Sequence, residues 1–450
     1  MPSRPTDAPA RRRAATVAAV LGALGLAGHA AAVDPGFSIS QILADGQFNN
    51  RTSTAVDSAG VTHTAFMTQF GTDDSSKEIV YGNNEGGSWT FTPITENTPV
   101  RHELPSLTLD NDENVHIAWH QGVAAGGNEL VYVNNIDGSF DDIITLTDPG
   151  YVIPEIRVDG DDVVHLVCRS QTLGTVPEDI YYFTWSADAG ASDPVNISNT
   201  PAVLSWEPQL AIDSQGAIHI VYEDQAGAFG GELVYQNNAS GSFEEVSTTV
   251  TGTVSSPMLL IAADDVVSIL YRQDNRLHAI DDGGTGAFSQ PEPLFVGVDA
   301  LPAFYERFAI DDDGHRHVAF ASNVGDLRGI YYIGEDENGW GDPVYLDGDD
   351  TGNQGVSIGL NSSGDVTVTY SLSGFDTQVF ADVYAATGSL DAAPIPGDLT
   401  GDGTVGGADL GILLSEWGPC DDCHDCPADL NDDCTVGGAD LGILLSNWTS

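Results

Sequence analysis

The sequence predicts an all-β protein, a seven-bladed β-propeller whose last blade is closed by an N-terminal strand, followed by a small α-helical calcium-binding domain. Three observations predict it. One phrase recurs between residues 50 and 390 at a period of about fifty: apolar-x-apolar-Asp, a polar turn, x-His-apolar-x-aromatic, and later Glu-Leu-Val-Tyr-x-Asn-Asn. A fixed period of that size, with several short alternating strands per unit, is the mark of a propeller. An extra strand-like segment precedes the first repeat, while the last repeat is one strand short. After residue 396 the composition changes, and two near-copies of an acidic loop each lead into a helical pattern.

Residues 1–32 read as an export signal. Arg11, Arg12 and Arg13 precede an apolar stretch from Ala14 to Leu26, and Ala30-Ala31-Ala32 offers a cleavage site. Removing this leader takes four of the 14 basic and one of the 67 acidic residues, leaving ten and 66, a net −56. So acidic a chain argues against nucleic acid and anionic membrane as partners. With 41% hydrophobic residues the acidity is no sign of disorder. No later segment is apolar and long enough to span a bilayer, so no membrane span is expected in the mature protein.

Residues 33–390 carry the repeats. The Asp column is Asp57, Asp110, Asp159, Asp213, Ala262, Asp311 and Asn361, spaced 49 to 54 residues apart; six residues on stand His63, His116, His165, His219, Ser268, His317 and Thr367. In the second repeat, Pro105 to Leu109, Val115 to His120, Glu129 to Val133 and Phe140 to Leu146 read as four strands, with Asn111 to Asn114 as a turn. The seventh repeat ends after Val383-Tyr384-Ala385, so the segment Phe37 to Leu43 is expected to complete it as an outer strand and remove an open edge. A His recurring in five blades serves what all blades share, and packing with a paired hydrogen bond is the expected role. Cys168, mid-strand, reads as a buried thiol.

Between the third and fourth strands stand Asn84-Glu85-Gly86-Gly87-Ser88-Trp89, Asn135-Ile136-Asp137-Gly138-Ser139-Phe140, Asn238-Ala239-Ser240-Gly241-Ser242-Phe243 and Glu337-Asn338-Gly339-Trp340. These turns resemble worn copies of the Asp-box (BNR) repeat of the sialidase-like propeller superfamily, over residues 37–390. The resemblance implies the fold, since in that superfamily the box is an architectural turn away from the active site.

What the blades do not share marks the candidate site. Residues leading into the first strand and those leaving the second should open on one rim: Arg51, Arg101, His102, Glu103, Tyr151, Trp206, Glu207, Tyr305, Glu306 and Arg307, together with Met67, His120, Arg169, Glu223, Arg272, Ala321 and Ser371. Five of the mature chain's ten basic residues, at 51, 101, 169, 272 and 307, fall there. Arginine's planar fork suits a carboxylate or sulfate, while Glu, Tyr and Trp suit sugar faces and acid–base work. Arg51, Glu103, Arg169, Trp206, Glu223, Arg272, Glu306 and Arg307 are therefore candidate substrate-binding residues. Tyr151, Tyr305, Glu207, His102 and His120 are candidate catalytic residues. The bland alternative is that the arginines pair with Glu103, Glu207 and Glu306 and only knit the rim.

Residues 391–396 form a short proline-containing linker to a module at 397–450. Its loops, Asp398 to Asp409 and Asp429 to Asp440, place oxygens suited to Ca²⁺ at alternating positions and at the twelfth. The ligand set is Asp398, Thr400, Asp402, Thr404 and Asp409, then Asp429, Asn431, Asp433, Thr435 and Asp440. Leu410, Leu413, Leu414 and Trp417, and again Leu441, Leu444, Leu445 and Trp448, form stripes expected to pack together. The duplicated loop-helix resembles a type I dockerin, which implies Ca²⁺ as cofactor and a cohesin-like domain as partner. Here Gly407-Ala408 and Gly438-Ala439 stand where many dockerins carry a polar recognition pair. Cys434 occupies the turn position that Gly normally fills, so the second site should be the weaker one. Cys420, Cys423, Cys426 and Cys434 are expected to form disulfides in an exported protein, with three pairings open.

These features predict a secreted or cell-surface protein directed at an extracellular anionic glycan. If it is an enzyme, the resemblance implies a sialidase-like glycoside hydrolase or a polysaccharide lyase. The sialidase Arg-Ile-Pro signature is absent, since Thr52-Ser53 follows Arg51. The alternatives are a non-catalytic recognition or scaffold propeller anchored through its calcium module, and a propeller protease inhibitor or adhesin.

Overall fold

The computed structural model describes residues 35–45, 47–69, 77–96, 98–124, 126–171, 178–200, 203–225, 230–274, 276–294, 303–324, 327–336, 339–348, 352–373, 381–390, 397, 399, 405–420, 426–431 and 434–448, with backbone alone at 303–306, 323–324, 327–328, 352–354 and 373. The expected leader, the linker and the loop residues Asp398, Thr400, Asp402, Thr404 and Asp433 lie outside these residues. The chain is mostly β, arranged as successive antiparallel meanders in a propeller-like fold.

One meander is Phe48–Val56, Thr62–Gln69, Lys77–Asn83 and Thr90–Pro93; the next is His102–Leu109, Val115–Gly122, Asn128–Asn134 and Ile144–Thr145. The fourth strand of the latter is shorter than the sequence suggests. Further sheets begin at Tyr151, Leu204, Ser255 and Ala303. The sheet beginning at Gly352–Leu360 continues through Asp365–Ser373 and Ala381–Ser389, and the N-terminal strand Ser38–Leu43 pairs antiparallel with this last strand. The first strands touch in chain order, and Gly352–Leu360 in turn touches Phe48–Val56.

The repeated phrase makes a repeated hydrogen-bond device. In each turn the Asp closes an Asx-type loop: Asp110 Oδ1 accepts from the backbone N–H of Asp112 and Asn114, at 3.0 and 2.8 Å. Its Oδ2 lies 3.1 Å from His116 Nε2, and His116 Nδ1 lies 2.6 Å from the Tyr132 hydroxyl. With the carboxylate able only to accept, Nε2 carries the proton and Tyr132 donates to Nδ1. Asn134 Nδ2 then donates to the Tyr132 oxygen at 3.0 Å. The same Asp–His–Tyr chain recurs at Asp57–His63–Tyr81, Asp159–His165–Tyr182, Asp213–His219–Tyr235 and Asp311–His317–Tyr332. The His column is architectural.

Apolar residues fill most gaps between neighbouring sheets. Trp119 and Ile117 pack with Ile79 and Tyr81, Phe183 packs with Tyr132, and Phe37 enters a cluster with Tyr332 and Tyr370. The gap between the Gly352 and Phe48 sheets is instead polar. There Thr54 Oγ1 meets Thr369 Oγ1 at 2.6 Å, Thr62 Oγ1 meets Thr367 Oγ1 at 2.8 Å, the Thr54 N–H donates to Ser357 Oγ at 3.0 Å, and Thr52 Oγ1 donates to the Gly355 carbonyl. A Cβ at Gly359 would lie 3.0 Å from the Ala55 backbone, so the close approach needs glycine.

The C-terminal module holds α1, Gly407–Ser415, and α2, Gly438–Ser446, around a small core of Val405, Leu413, Ala428, Val436 and Leu444. The expected packing of the whole stripes is corrected. Leu413 and Leu444 are buried, but Leu414, Trp417, Leu445 and Trp448 are 53, 50, 51 and 40% exposed. Helices of nine residues present two turns and a half, and a core this small has room for one ridge of each. Cys420 and Cys426 are joined in a disulfide, and Cys434 is also disulfide-bonded. Cys168 is a fully buried free thiol whose pKa burial pushes up. Among the described residues no helix is long and apolar enough to cross a membrane.

Candidate functional site

Each first strand breaks step with its second strand near its start. Arg51 and Thr52 together face Phe66, Leu104 and Pro105 face Trp119, Ile153 and Pro154 face Cys168, Glu207 and Pro208 face Tyr222, and Ser256 and Pro257 face Tyr271. These are β-bulges whose first residue is left-handed, with φ of 61° at Arg51, 56° at Leu104 and Ile153, 50° at Glu207 and 52° at Ser256. In the Gly352 sheet the position is Gly355, at φ 60°. In the Ala303 sheet the slip falls at Tyr305 and Glu306, whose side chains are outside the described residues. A left-handed L-residue costs roughly 1–2 kcal/mol. Such strain at one level of successive sheets persists because the surrounding pairing over-determines it, and bulges of this kind re-aim side chains beside binding sites.

The residue before each bulge faces one column of the second strand: Asn50 with Met67, Glu103 with His120, Val152 with Arg169, Trp206 with Glu223, Ser255 with Arg272. The structure therefore brings most of the expected rim residues to one end of the strands. The bulges themselves escaped the sequence reading, although the column Pro105, Pro154, Pro208 and Pro257 signals them, since proline inside a strand is confined to edges and bulges.

Glu103 is the most heavily engaged. Lys77 Nζ donates to its Oε1 at 2.5 Å, while Arg101 Nε lies 3.2 Å and His120 Nε2 3.6 Å from its Oε2. Burial alone would raise its pKa, but the contacts from His120 and Lys77 outweigh this and hold it at about 2. His120 is 5% exposed and its Nδ1 has no hydrogen-bond partner. Burial lowers its pKa and Arg101 and Arg169 add to this, with Glu103 opposing, so the ring is neutral with an open Nδ1 lone pair. A cavity of about 270 Å³ opens beside it, lined by Arg51, Met67, Lys77, Glu103 and Leu104 among others.

One sheet along, the Arg169 guanidinium lies 4.0 Å over the Trp206 ring. Its Nη1 is 3.2 Å from Glu178 Oε2, yet the two are not aligned for a hydrogen bond, and Nε and Nη1 are both buried without acceptors. Trp206 Nε1 and Glu223 Oε2 are likewise buried without partners. Glu223 is 2% exposed. Burial first, then the charge of Glu207, raises its pKa to about 7 against the opposing effects of Gln225 and Arg272. Arg272 Nε donates to Ser255 Oγ at 2.9 Å.

Two expected site residues have surroundings unlike the rest. His102 is not on the rim: it is 2% exposed, Trp119 Nε1 donates to its Nδ1 at 2.8 Å, and its Nε2 is 2.9 Å from Thr98 Oγ1, so both nitrogens are already used. Tyr151 is half-buried against the edge of Tyr181, and burial raises its pKa, the wrong direction for a base or nucleophile. The pairing of rim arginines with acids holds for Arg101 with Glu103. Arg307 is exposed.

In the C-terminal module, Asp409 and Asp440 are buried, each closing its own loop. Asp409 accepts from the N–H of Leu399 and Gly406, and Asp440 from those of Leu430, Asn431 and Gly437. Asp429 Oδ2 accepts from the Cys434 N–H at 2.7 Å, and Cys434 takes φ 65°, the left-handed turn expected at its position. Buried carboxylates gathered by backbone turns fit a hard cation with oxygen ligands. Among the described residues no group of three or more His, Cys, Asp or Glu is placed to hold a metal.

No protein family's sequence profile matches the chain, and no curated protein matches it. Solved structures do. An ulvan lyase, described as a new family of polysaccharide lyase and bound to -[GlcA(1-4)Rha3S]-, is 11% identical over 79% of this chain and 95% of its own, with a TM-score of 0.54. The same description without the ligand gives 12% identity over 79% and 95%, at 0.53. The intramolecular trans-sialidase from Ruminococcus gnavus is 11% identical over 80% of this chain and 99% of its own, at 0.45. At these identities the likeness to the ulvan lyase structures is one of fold alone.

Proposed function

We propose that the β region is a closed seven-bladed propeller that cleaves an extracellular, uronate-containing polysaccharide by β-elimination at the bulge-lined rim. One observation carries the reading: His120 Nδ1 and Arg169 Nε are buried without hydrogen-bond partners and stand on adjacent sheets at the same level. Buried polar atoms are nearly always paired, so such a set is a demand for a ligand that accepts from the arginine and yields a proton to the histidine. A uronate residue meets it. Arg169 neutralises the carboxylate and so acidifies the adjoining C5–H, and neutral His120 takes that proton at Nδ1. The C4–O bond breaks, a C4=C5 double bond forms, and the leaving oxygen takes up a proton. Glu103 orients His120 from the Nε2 side. Sharing a fold with ulvan lyases supports the reading as analogy.

In the same reading the chain is exported and its C-terminal module holds Ca²⁺ through the two acidic loops, with Asp409, Asp429 and Asp440 among the ligands. Calcium there supplies folding energy and no catalysis. A cohesin-like domain remains the proposed partner.

The test is to incubate the full chain with polyglucuronate, polygalacturonate and sialyl-lactose and to follow ultraviolet absorbance from unsaturated uronate beside free sialic acid. Unsaturated product, lost in His120→Ala and Arg169→Ala, is the expected result. Sialic acid release would replace the lyase by a sialidase. Binding of a polyuronate without cleavage would favour the non-catalytic scaffold.

A further inference from the structure

Elimination needs an acid as well as a base, and the rim holds a second buried group whose free atom points to that task. Glu223 stands on Ile218–Gln225 opposite Trp206, at the level where His120 and Arg169 stand on the two preceding sheets. Its Oε1 accepts from Gln225 Nε2, while Oε2 is buried and unpartnered. Trp206 Nε1, facing the same level, is unpartnered too. The next residue of the first strand, Glu207, is held left-handed by the bulge at φ 50°. The groups acting on Glu223 are Glu207 from its own sheet, Gln225 from its own strand and Arg272 from the following sheet.

We infer that Glu223 is the catalytic acid of the proposed elimination, its Oε2–H donating to the glycosidic oxygen as the C4–O bond breaks. The inference rests on the lyase reading. A carboxyl group whose one oxygen is tied to an amide and whose other is buried beside a second carboxylate holds a proton on the free oxygen. That atom is then a donor waiting for an acceptor, as His120 Nδ1 is an acceptor waiting for a donor. The two groups are tuned apart by surroundings: Glu223 keeps its proton up to about pH 7, while His120 is held neutral. The step balances. His120 gains the C5 proton, Glu223 loses one to the leaving oxygen, the C–O electron pair leaves with that oxygen, and the C–H pair becomes the double bond. Return of the proton from His120 to Glu223 through solvent restores both without an outside reactant.

The experiment measures kcat and KM from pH 5 to 9 on polyglucuronate and polygalacturonate for the wild type, Glu223→Gln and Glu223→Asp, with thermal melting to confirm folding. The expected result is a wild-type rate that falls above about pH 7. Glu223→Gln should lower kcat by about 100-fold or more with KM nearly unchanged, and Glu223→Asp should keep part of the rate with a shifted alkaline limb. A folded Glu223→Gln that turns over like the wild type, or retains its alkaline limb, overturns the inference and leaves the lyase reading standing. A wild type that forms no unsaturated product overturns both.

Discussion

Arg169 lies over Trp206, its guanidinium carbon 4.0 Å from the ring centroid, while its Nε remains without an acceptor. The indole therefore holds the guanidinium in place through its ring face without using the donor at Nε, which leaves that donor for a carboxylate. Burial lowers the guanidinium's pKa, with Glu178 and Glu207 opposing, and the group stays charged at any working pH.

Trp206→Ala should accordingly weaken polyuronate binding, because the fork loses its orientation but not its charge. A cation–π contact of about 0.5–2 kcal/mol corresponds to roughly two- to thirtyfold in affinity. Trp206→Phe should recover part of it. Titration calorimetry checks this; equal affinity in all three proteins would show that the stacking has no part in binding.

His116→Ala should destabilise the fold by about 2–4 kcal/mol without altering the reaction of the folded protein. It takes one donor from the Asp110 carboxylate and leaves the buried Tyr132 hydroxyl proton without its acceptor. Denaturant unfolding measures the loss. A variant as stable as the wild type but slower in turnover would overturn the architectural role.

The contrast between His116 and His120 shows what the sequence could tell and where it stopped. A residue recurring with Asp six before it and Tyr at a fixed place in the next strand must serve the repeat, so the Asp–His–Tyr chains were legible. The rim was legible only as a register, because position in the repeat says which end of a strand a residue occupies and not what it touches. Hence His102 and Glu103, neighbours in sequence, part company: the bulge that follows keeps Glu103 opposite His120 while His102 turns inward beneath Trp119. Burial decides chemistry here, and sequence spacing carries no burial for single, unrepeated residues such as Glu223.

Glu223 should also set a pH dependence of stability. Its folded pKa of about 7 stands above the ordinary 4.5, so its contribution is complete below pH 4.5 and lost as pH rises to 7. The loss is up to about 3 kcal/mol at pH 8. Glu223→Gln carries no charge to bury, and should melt higher than the wild type at pH 8 with no advantage at pH 4. Melting curves at the two values decide it; an advantage equal at both would point to packing in place of charge.

Removing calcium should unfold the C-terminal module, whose core is only a few side chains, and leave the β region folded. Asp409→Ala should cost more calcium affinity than Asp440→Ala, because the second loop forces Cys434 into φ 65° where glycine would sit without strain. Calorimetry with two equal sites would refute that ranking.

Phe37→Ala should cost about 3–5 kcal/mol, since the ring is 5% exposed and meets Tyr332 edge-on at 5.0 Å. Loss of soluble protein on deleting residues 35–45 is the stronger form of the same expectation, because Ala381–Ser389 then presents a bare edge. A deletion that melts as the wild type does would detach this strand from stability.

The threonine-lined gap between the Gly352 and Phe48 sheets bears on how near-identical repeats find their proper neighbours. Apolar faces are interchangeable, and a chain of similar sheets could stack any one upon any other. Hydroxyl pairs are not. Thr62 and Thr367 pair with each other and Thr369 pairs with Thr54, which also meets Thr64 of its own sheet, so either sheet set against an apolar face would bury hydroxyls that lose their partners. The two ends of the repeat array thus carry matching locks that reject interior sheets, a form of proofreading during folding. The remaining false match is the corresponding sheet of another copy, so any misassembly of this protein should take the form of exchange between chains at this join.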